Sequence, residues 1–432
     1  MASKSNNKAA AAEKRKKILR VKIIIFAVVL IAYGVSVFFF RAQIDRALNL
    51  AKYGAADIAD IKGGTKEGFY ANGALKVHYV DVGQGDAAVI ELPDDKTMVI
   101  DGGPDKEKKK FFTYMEDALP KADGFDYVIL THSDEDHCGG LDDIINKFPV
   151  REGGRIYRPN QLASYSGFTD PALNRTGTGA FWGDYTQNSG QSSASFKRFL
   201  EAAYKQETEN VKIYVTDANK AEMNILGDLN KNGTYDEGTD YLFTFYAPKQ
   251  AAWKNSNNNY SPIISLDYQG KRLMFTGDAE GEKEGDCERL FADEVKNGAV
   301  NFDKKADVLN LGHHGSKTST SKEYLDAVLP GKDNPAVIAV ISCGTGNSYG
   351  HPHDVTLNRL INDYGFKEEN ILRTDKLGTV VLAVSDGKLM YGIIEITQSE
   401  EIELLSWTTI GAVIVIVIFI LLFFVRKINI KI

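Results

Sequence analysis

Cysteine is scarce in this chain: Cys138, Cys287 and Cys343 are the only three in 432 residues, and they lie far apart. That excludes a disulfide-stapled scaffold, and also a structural zinc knuckle, which needs closely spaced thiols. There is no internal repeat and no glycine period, and 39 Gly with 11 Pro rule out a collagen-like chain. Positive charge is short over most of the length. The formal charge is −7, but residues 1–22 carry +7 and residues 426–432 carry +3, which leaves −17 on residues 23–425. A body so acidic lacks the broad basic face by which proteins ordinarily hold nucleic acid. The remainder is an ordinary globular mixture, 43% hydrophobic, 25% charged and 10% aromatic, which excludes a fully disordered chain.

Charge is wholly missing from two stretches. Residues 23–40 (IIIFAVVLIAYGVSVFFF) are uncharged for 18 positions, and residues 407–425 (WTTIGAVIVIVIFILLFFV) for 19. At 1.5 Å per residue either helix would span roughly 27–29 Å, close to the hydrocarbon thickness of a bilayer. The first run is longer than the apolar part of a cleaved leader, and no small-x-small pattern follows it, so an uncleaved anchor is expected. Lys14, Arg15, Lys16, Lys17, Arg20 and Lys22 precede the first run, and Arg426, Lys427 and Lys431 follow the second. Between them only Arg41 and Arg46 lie near a boundary. The positive-inside rule then predicts cytoplasmic tails at 1–22 and 426–432 and transmembrane helices at 23–40 and 407–425. A stalk at 41–74 and an outward-facing, extracellular domain over 75–400 complete this organisation at the cell membrane.

From residue 75 onward short apolar runs alternate with helical patterns. LKVHYVDV (75–82), DAAVIEL (86–92) and TMVIDGG (97–103) read as successive strands, followed by a helix over 106–118 and a buried strand over 126–131. Further strands are predicted at 241–246, 263–268, 272–275, 307–311, 337–342 and 379–384. Helices are predicted at 141–148, 197–205, 282–296, 322–328 and 355–364. The distribution suggests an α/β sandwich of two sheets covered by helices. Residues 158–190, rich in Gly, Ser, Asn and Tyr, show no period; they read as a lid or binding surface, or equally as a variable insertion.

The most informative stretch is THSDEDHCGG at 131–140, directly after a strand and before a helix. His132, Asp134, Asp136 and His137 put four metal-capable side chains within six positions. Alternate residues of an extended segment share a face, and the turn brings His137 round to them. Two carboxylates and two imidazoles buried together are costly unless a cation neutralises them.

HxDxDH after a strand resembles the metal motif of the metallo-β-lactamase superfamily, in the variant found in the hydrolase domain of ComEC-type DNA-internalisation proteins. Other stretches resemble the family's remaining blocks in order: VDVGQGDAAVI (80–90), MVIDGG (98–103), FTGDAE (275–280), LNLGHHGSKTSTS (309–321) and SCGTGNSYGHPH (342–353). The resemblance covers roughly residues 75–396 and implies the αββα fold with a metal site at the sheet edge. By that likeness His132, Asp134, Asp136 and His137 are metal ligands, Asp278 bridges two metals, and His313 or His314 is the late histidine ligand, with His314 favoured. Asp86 and Asp101 correspond to supporting positions that orient the ligands. Two departures stand out: Asp134 replaces the usual second histidine, and no histidine lies between His137 and His313. A carboxylate-rich set moves the expected pair of divalent ions from zinc toward manganese, magnesium or iron, with zinc as the alternative.

A two-metal centre activates water and stabilises charge on an attacked phosphoryl oxygen, and Asp136 belongs to that catalytic group. His351 and Lys317 are candidate donors to the phosphate or leaving group, and Ser316, Asn258, Asn259 and His353 are candidate substrate contacts. Independently of the resemblance, Asp228, Asn230, Asn232, Thr234 and Asp236, with Gly233 between, have the spacing of a calcium loop. Its closing acid is displaced to Asp240, and an Asn/Gly-rich hairpin turn is the competing reading. The expectation is a membrane-anchored phosphodiesterase or nuclease, with single-stranded DNA as one substrate and a membrane channel or wall-associated protein as partner. Against it stand a hydrolase of envelope esters or phosphodiesters, such as teichoic-acid or phospholipid head groups, and a non-catalytic binding module.

Overall fold

The computed structural model describes residues 13–29, 59–119, 122–161, 164–165, 168–169, 193–216, 223–246 and 256–394. The chain divides into two compact units, residues 56–396 and the two flanks 1–55 and 397–432. Of the flanks only residues 13–29 are described, and they form a helix. Among the described residues no helix is long and apolar enough to cross a membrane. Part of the 23–40 run and all of the 407–425 run lie outside the described residues, as does most of 158–190.

The larger unit is built on two sheets. The first has nine strands in the spatial order Ala59–Lys62, Lys388–Ile394, Thr379–Ser385, Leu75–Tyr79, Ala88–Glu91, Thr97–Ile100, Phe125–Ile129, Val150–Arg158 and Lys212–Val215. The second has seven, in the order Ile225–Gly227, Tyr241–Phe245, Ile264–Tyr268, Lys271–Phe275, Val308–Asn310, Ile338–Ile341 and Ile371–Arg373. Successive side chains of a strand point to opposite faces. Ile90, Met98, Ile129 and Leu382 therefore meet Leu266, Leu273, Val308 and Val340 of the facing sheet in one buried cluster. Their neighbours Val89, Val99, Val128 and Val381 face the other way, in a cluster with Phe111 and Met115 of the Lys108–Ala118 helix and Phe199 of the Ala194–Gln206 helix. On the far side Met274, Leu309 and Ile341 cluster with Phe291 and Leu325 of the Cys287–Lys296 and Lys322–Val328 helices. Strands buried on both faces explain the near-continuous apolar runs in the sequence, and the layering is αββα.

The structure differs from the sequence reading in places. Ala59–Lys62 pairs with Lys388–Ile394, and Phe69 of the following helical turn is fully buried, so this stretch belongs to the domain and not to a stalk. The predicted helix at 282–296 begins only at Cys287, because the Asp286 carboxylate takes the Lys283 N–H (2.7 Å) and holds the preceding residues in a turn. The helix at 355–364 is Asp354–Asn358 continued by a widened, π-type segment, Arg359–Asp363.

Parallel pairing positions the site. Thr97–Ile100 and Phe125–Ile129 run parallel with Ile100 opposite Ile129, so Asp101 and Thr131–His137 leave the first sheet at one edge. Lys271–Phe275, Val308–Asn310 and Ile338–Ile341 are parallel as well, and deliver Asp278, His313–His314 and His351 from one edge of the second. If residues 59–69 are integral to the fold, Phe69→Ala lowers stability by about 3–5 kcal/mol. Urea unfolding of the full chain measures it, and a free stalk would show no change.

Candidate metal centre

Three loops from the first sheet are tied together behind the centre. Asp101, left-handed at φ 59°, accepts the Thr131 N–H (2.8 Å) and hydroxyl (2.7 Å), and its Oδ2 lies 2.7 Å from His137 Nδ1. An ionised carboxylate only accepts, so Nδ1 donates to Asp101 and Nε2 is the nitrogen turned forward, whose lone pair a cation gains by displacing its proton. Gly85 lets the Gln84–Asp86 loop touch the metal-motif turn: a Cβ there would lie 2.4 Å from the Asp136 carbonyl oxygen. Gly277 does the same for the second sheet, where a Cβ would meet Thr131 Cβ at 2.8 Å. His313 and His314 both adopt left-handed backbone (φ 51° and 54°), a conformation that costs on the order of 1–3 kcal/mol per non-glycine residue and clusters at functional sites.

These loops converge on the Asp278 carboxylate. Its Oδ1 lies 3.1 Å from His137 Nε2, and its Oδ2 lies 3.8 Å from His132 Nε2, 3.6 Å from His313 Nε2 and 3.7 Å from His314 Nε2. Asp136 Oδ2 is 3.2 Å from His314 Nε2, and Asp134 Oδ2 is 3.7 Å from His132 Nε2. Asp86, His137, Asp278 and His314, all buried, each offer a ligand atom within 4.8 Å of the others. Asp86 thus stands in the cluster itself and not only behind it. His132 Nε2, His137 Nε2, His314 Nε2 and Asp278 Oδ1 are buried without a hydrogen-bond partner. Polar atoms so placed are costly unless something fills the space between them. One or two divalent cations fit that donor set.

The electrostatics carry the same stamp. Burial opposes the Asp278 charge, but the imidazoles of His137, His314 and His313 hold its pKa well below the usual carboxylate range. Burial likewise opposes charge on His137 and His314, yet Asp278 with Asp101 raises His137 well above its ordinary value, and Asp278 with Asp136 raises His314 to about 9. Asp86 goes the other way, pushed up by burial. With no cation present, the cluster therefore binds protons in a cation's place.

The other candidates divide. His351 is buried at the rim, its ring 5.4 Å from His313, and burial with the charges of His314, His313 and His353 pushes its pKa down to about 4. Asn258 Nδ2 lies 3.4 Å from His313 Nδ1 and donates to Glu280 (3.2 Å). Asn259 is fully buried, bonded to Asp286 and to the N–H groups of Glu280 and Cys287; it braces the loop after Asp278 and is not free for substrate. Ser316 is taken up by Thr318, and His353 Nδ1 accepts the Lys317 N–H (3.0 Å), so both hold the histidine loop. Lys317 itself is exposed and lines a neighbouring cleft.

In the 228–240 loop, Asp228 accepts the N–H groups of Asn232 and Gly233, Asn232 that of Thr234, and Asp240 those of Leu229 and Asp236. Asn230 also accepts from Asn232. The loop closes through its own backbone, at the sheet end away from the centre, where Tyr241 pairs with Tyr268.

Two residues escape sequence reasoning. Ser261 Oγ lies 3.3 Å from His132 Nδ1 and accepts the Asp278 N–H. Glu288, fully buried, accepts the N–H groups of Thr320 and Ser321 and so anchors the loop after the paired histidines. Burial pushes its carboxyl up to about 7. Neither carries a motif signal: one is a lone serine, the other a glutamate in an amphipathic helix.

Residues 80–157, which include Asp86, Asp101 and the whole His132–His137 stretch, match the Metallo-beta-lactamase superfamily. The chain carries a metallo-β-lactamase superfamily domain. It is 28% identical over 320 residues to ComE operon protein 3 of Bacillus subtilis (strain 168), covering 71% of this chain and 32% of that one. It is 33% identical over 152 residues to Competence protein ComA of Neisseria gonorrhoeae (35% and 19% covered). With Recombination protein 2 of Haemophilus influenzae it shares 36% over 105 residues (24% and 11% covered). The chain thus spans a third or less of the length of these curated relatives.

Two outcomes follow for the superfamily centre. Because His137 and His314 hold protons that a cation must displace, metal binding releases protons at pH 7, and affinity rises with pH, the His314 contribution levelling off near pH 9. Calorimetry in buffers of different ionisation enthalpy reads this directly. Asp101→Ala, which frees the His137 ring, weakens metal binding by about 10–100-fold in a competition titration.

Proposed function

We propose that this chain is a membrane-anchored, outward-facing metallohydrolase that cleaves phosphodiesters, with single-stranded DNA as the substrate class. The observation that carries it is the set of four buried, unpartnered atoms of His132, His137, His314 and Asp278 turned on one small volume. His132, Asp134, Asp136, His137, Asp278 and the His313–His314 pair would hold two divalent ions, manganese, magnesium, iron or zinc. Such ions supply a nucleophile from water near neutral pH and stabilise negative charge on the attacked oxygen.

The chain's own residues do the rest. Asp101 fixes the His137 tautomer, and the Ser342 carbonyl 2.9 Å from His314 Nδ1 fixes that of His314, so both present Nε2. His351, neutral at physiological pH, has the Gln84 amide 3.5 Å from its Nδ1. With that amide as donor, Nε2 carries the proton and is the group to offer a phosphoryl oxygen or the leaving oxygen. The uncharged runs at 23–40 and 407–425 and their basic flanks support the two anchors, with both termini cytoplasmic. The acidic body favours one second reading, an envelope ester or phosphodiester as substrate with a wall-associated partner.

The full chain, purified in detergent, stripped with chelator and reloaded with each metal, is expected to cleave bis-p-nitrophenyl phosphate and single-stranded DNA. Asp278→Ala should lower that turnover by at least about 10²-fold while leaving the circular dichroism unchanged. Turnover of phosphorylcholine esters without DNA cleavage would move the assignment to envelope substrates, and failure to take up any metal would leave a binding module.

A further inference from the structure

Beside the centre, the loop bearing His313 and His314 runs out to Lys317, whose ammonium has no partner among the described residues. Lys317 lines a cleft of about 440 Å³ together with Arg289, Lys322 and Arg359, against the acids Glu282 and Glu323. Two of these cations are neutralised: Arg289 by Glu323 (3.0 Å) and Lys322 by Asp363 (2.8 Å). Arg359 instead donates to the carbonyl oxygens of Ser319 and Thr320, with Asp363 and Glu288 near enough to feel its charge, and among the described residues neither it nor Lys317 forms a salt bridge. In a body of −17 this is a local excess of positive charge, and it adjoins the centre: the cleft-lining Thr318 lies 3.0 Å from His313 Nδ1.

An aromatic ring adjoins this edge as well. Tyr349 is 65% exposed, the most exposed large apolar side chain among the described residues. Its ring stacks on His351 at 5.6 Å and 22°, and the His351 ring lies 4.9 Å from His353, which in turn accepts the Lys317 N–H. A flat ring open on one face, a metal-capable centre and a cationic cleft thus form one continuous path across the sheet edge.

We propose that this path is a track for a single nucleic-acid strand, with Tyr349 stacking one base and Lys317 with Arg359 holding phosphates beside the centre. Exposed aromatics beside a cationic groove are the means by which unpaired strands are held without sequence preference. A base stacked inside a duplex cannot reach Tyr349, and a wall polymer has no base to offer it. The track rests on the proposed hydrolase only for which bond is cut; binding itself needs no turnover.

The test is fluorescence anisotropy of the full chain in detergent and chelator, with a labelled 12-nucleotide oligodeoxynucleotide, its abasic counterpart and its duplex. Tyr349→Ala should weaken binding of the normal strand about tenfold, Tyr349→Phe should restore it, and the abasic strand should be indifferent to either change. Lys317→Ala should weaken both strands alike and reduce the slope of log affinity against log salt by about 0.7. Equal binding of the strand by wild type and Tyr349→Ala, or duplex binding with the same Tyr349 dependence, overturns the proposal. Turnover of bis-p-nitrophenyl phosphate by the metal-loaded wild-type chain reports on the hydrolase reading alone, so the two can fail separately.

Discussion

A carboxylate 3% exposed, facing four imidazole nitrogens at 3.1–3.8 Å, sets the terms for the whole sheet edge. Asp278 cannot be solvated there, and it is held ionised by groups that are themselves expensive to bury. The surrounding backbone is bent to make that meeting possible. Gly277 removes the Cβ that would strike Thr131, and two successive histidines accept left-handed backbone so that both rings reach the carboxylate. Strain of this kind persists only where the surroundings over-determine it. Here they do: Asp101, Ser342 and Glu288 each fix one neighbouring segment through buried hydrogen bonds.

Charge at the scale of the chain and charge at the scale of the site tell different stories. A net −17 over residues 23–425 argues against a polyanionic substrate at long range. The screening length at physiological salt is only about 8 Å. Within such a distance the balance is set by which cations lack a carboxylate partner, and among the described residues Lys317 is one of them beside the centre. On the proposed reading the same acidity acts as a selectivity device, discouraging non-specific adsorption of nucleic acid everywhere except at the edge where the loops converge.

Six of the seven histidines stand in three short stretches after apolar runs, which is why the site was legible from the chain alone. A strand that ends in alternating His and Asp can be recognised because the spacing itself brings the side chains together. The layered fold was legible for the same reason, since runs such as 97–100 and 338–341 are apolar on both faces. What escaped depends on partners far away in sequence. Val150–Arg158 has two glycines and four charged residues that break any alternation, and only pairing with Phe125–Ile129 makes it a strand. Asn259 reads as a polar loop residue until its amide is seen bonded to Asp286 and Cys287. Lys317 and Ser316 sit next to metal-capable histidines in sequence, yet one faces a cleft and the other is locked in the turn, because left-handed backbone at 313–315 reverses the chain.

The antiparallel pairing of Ala59–Lys62 with Lys388–Ile394 sets Ala59 opposite Ile393, so the chain enters and leaves the domain at one spot. Tension applied through both flanking segments would fall on this pair of strands end-on, opening its hydrogen bonds one after another. The sheets behind it and the edge that bears the histidines would bear no load until that clasp had parted.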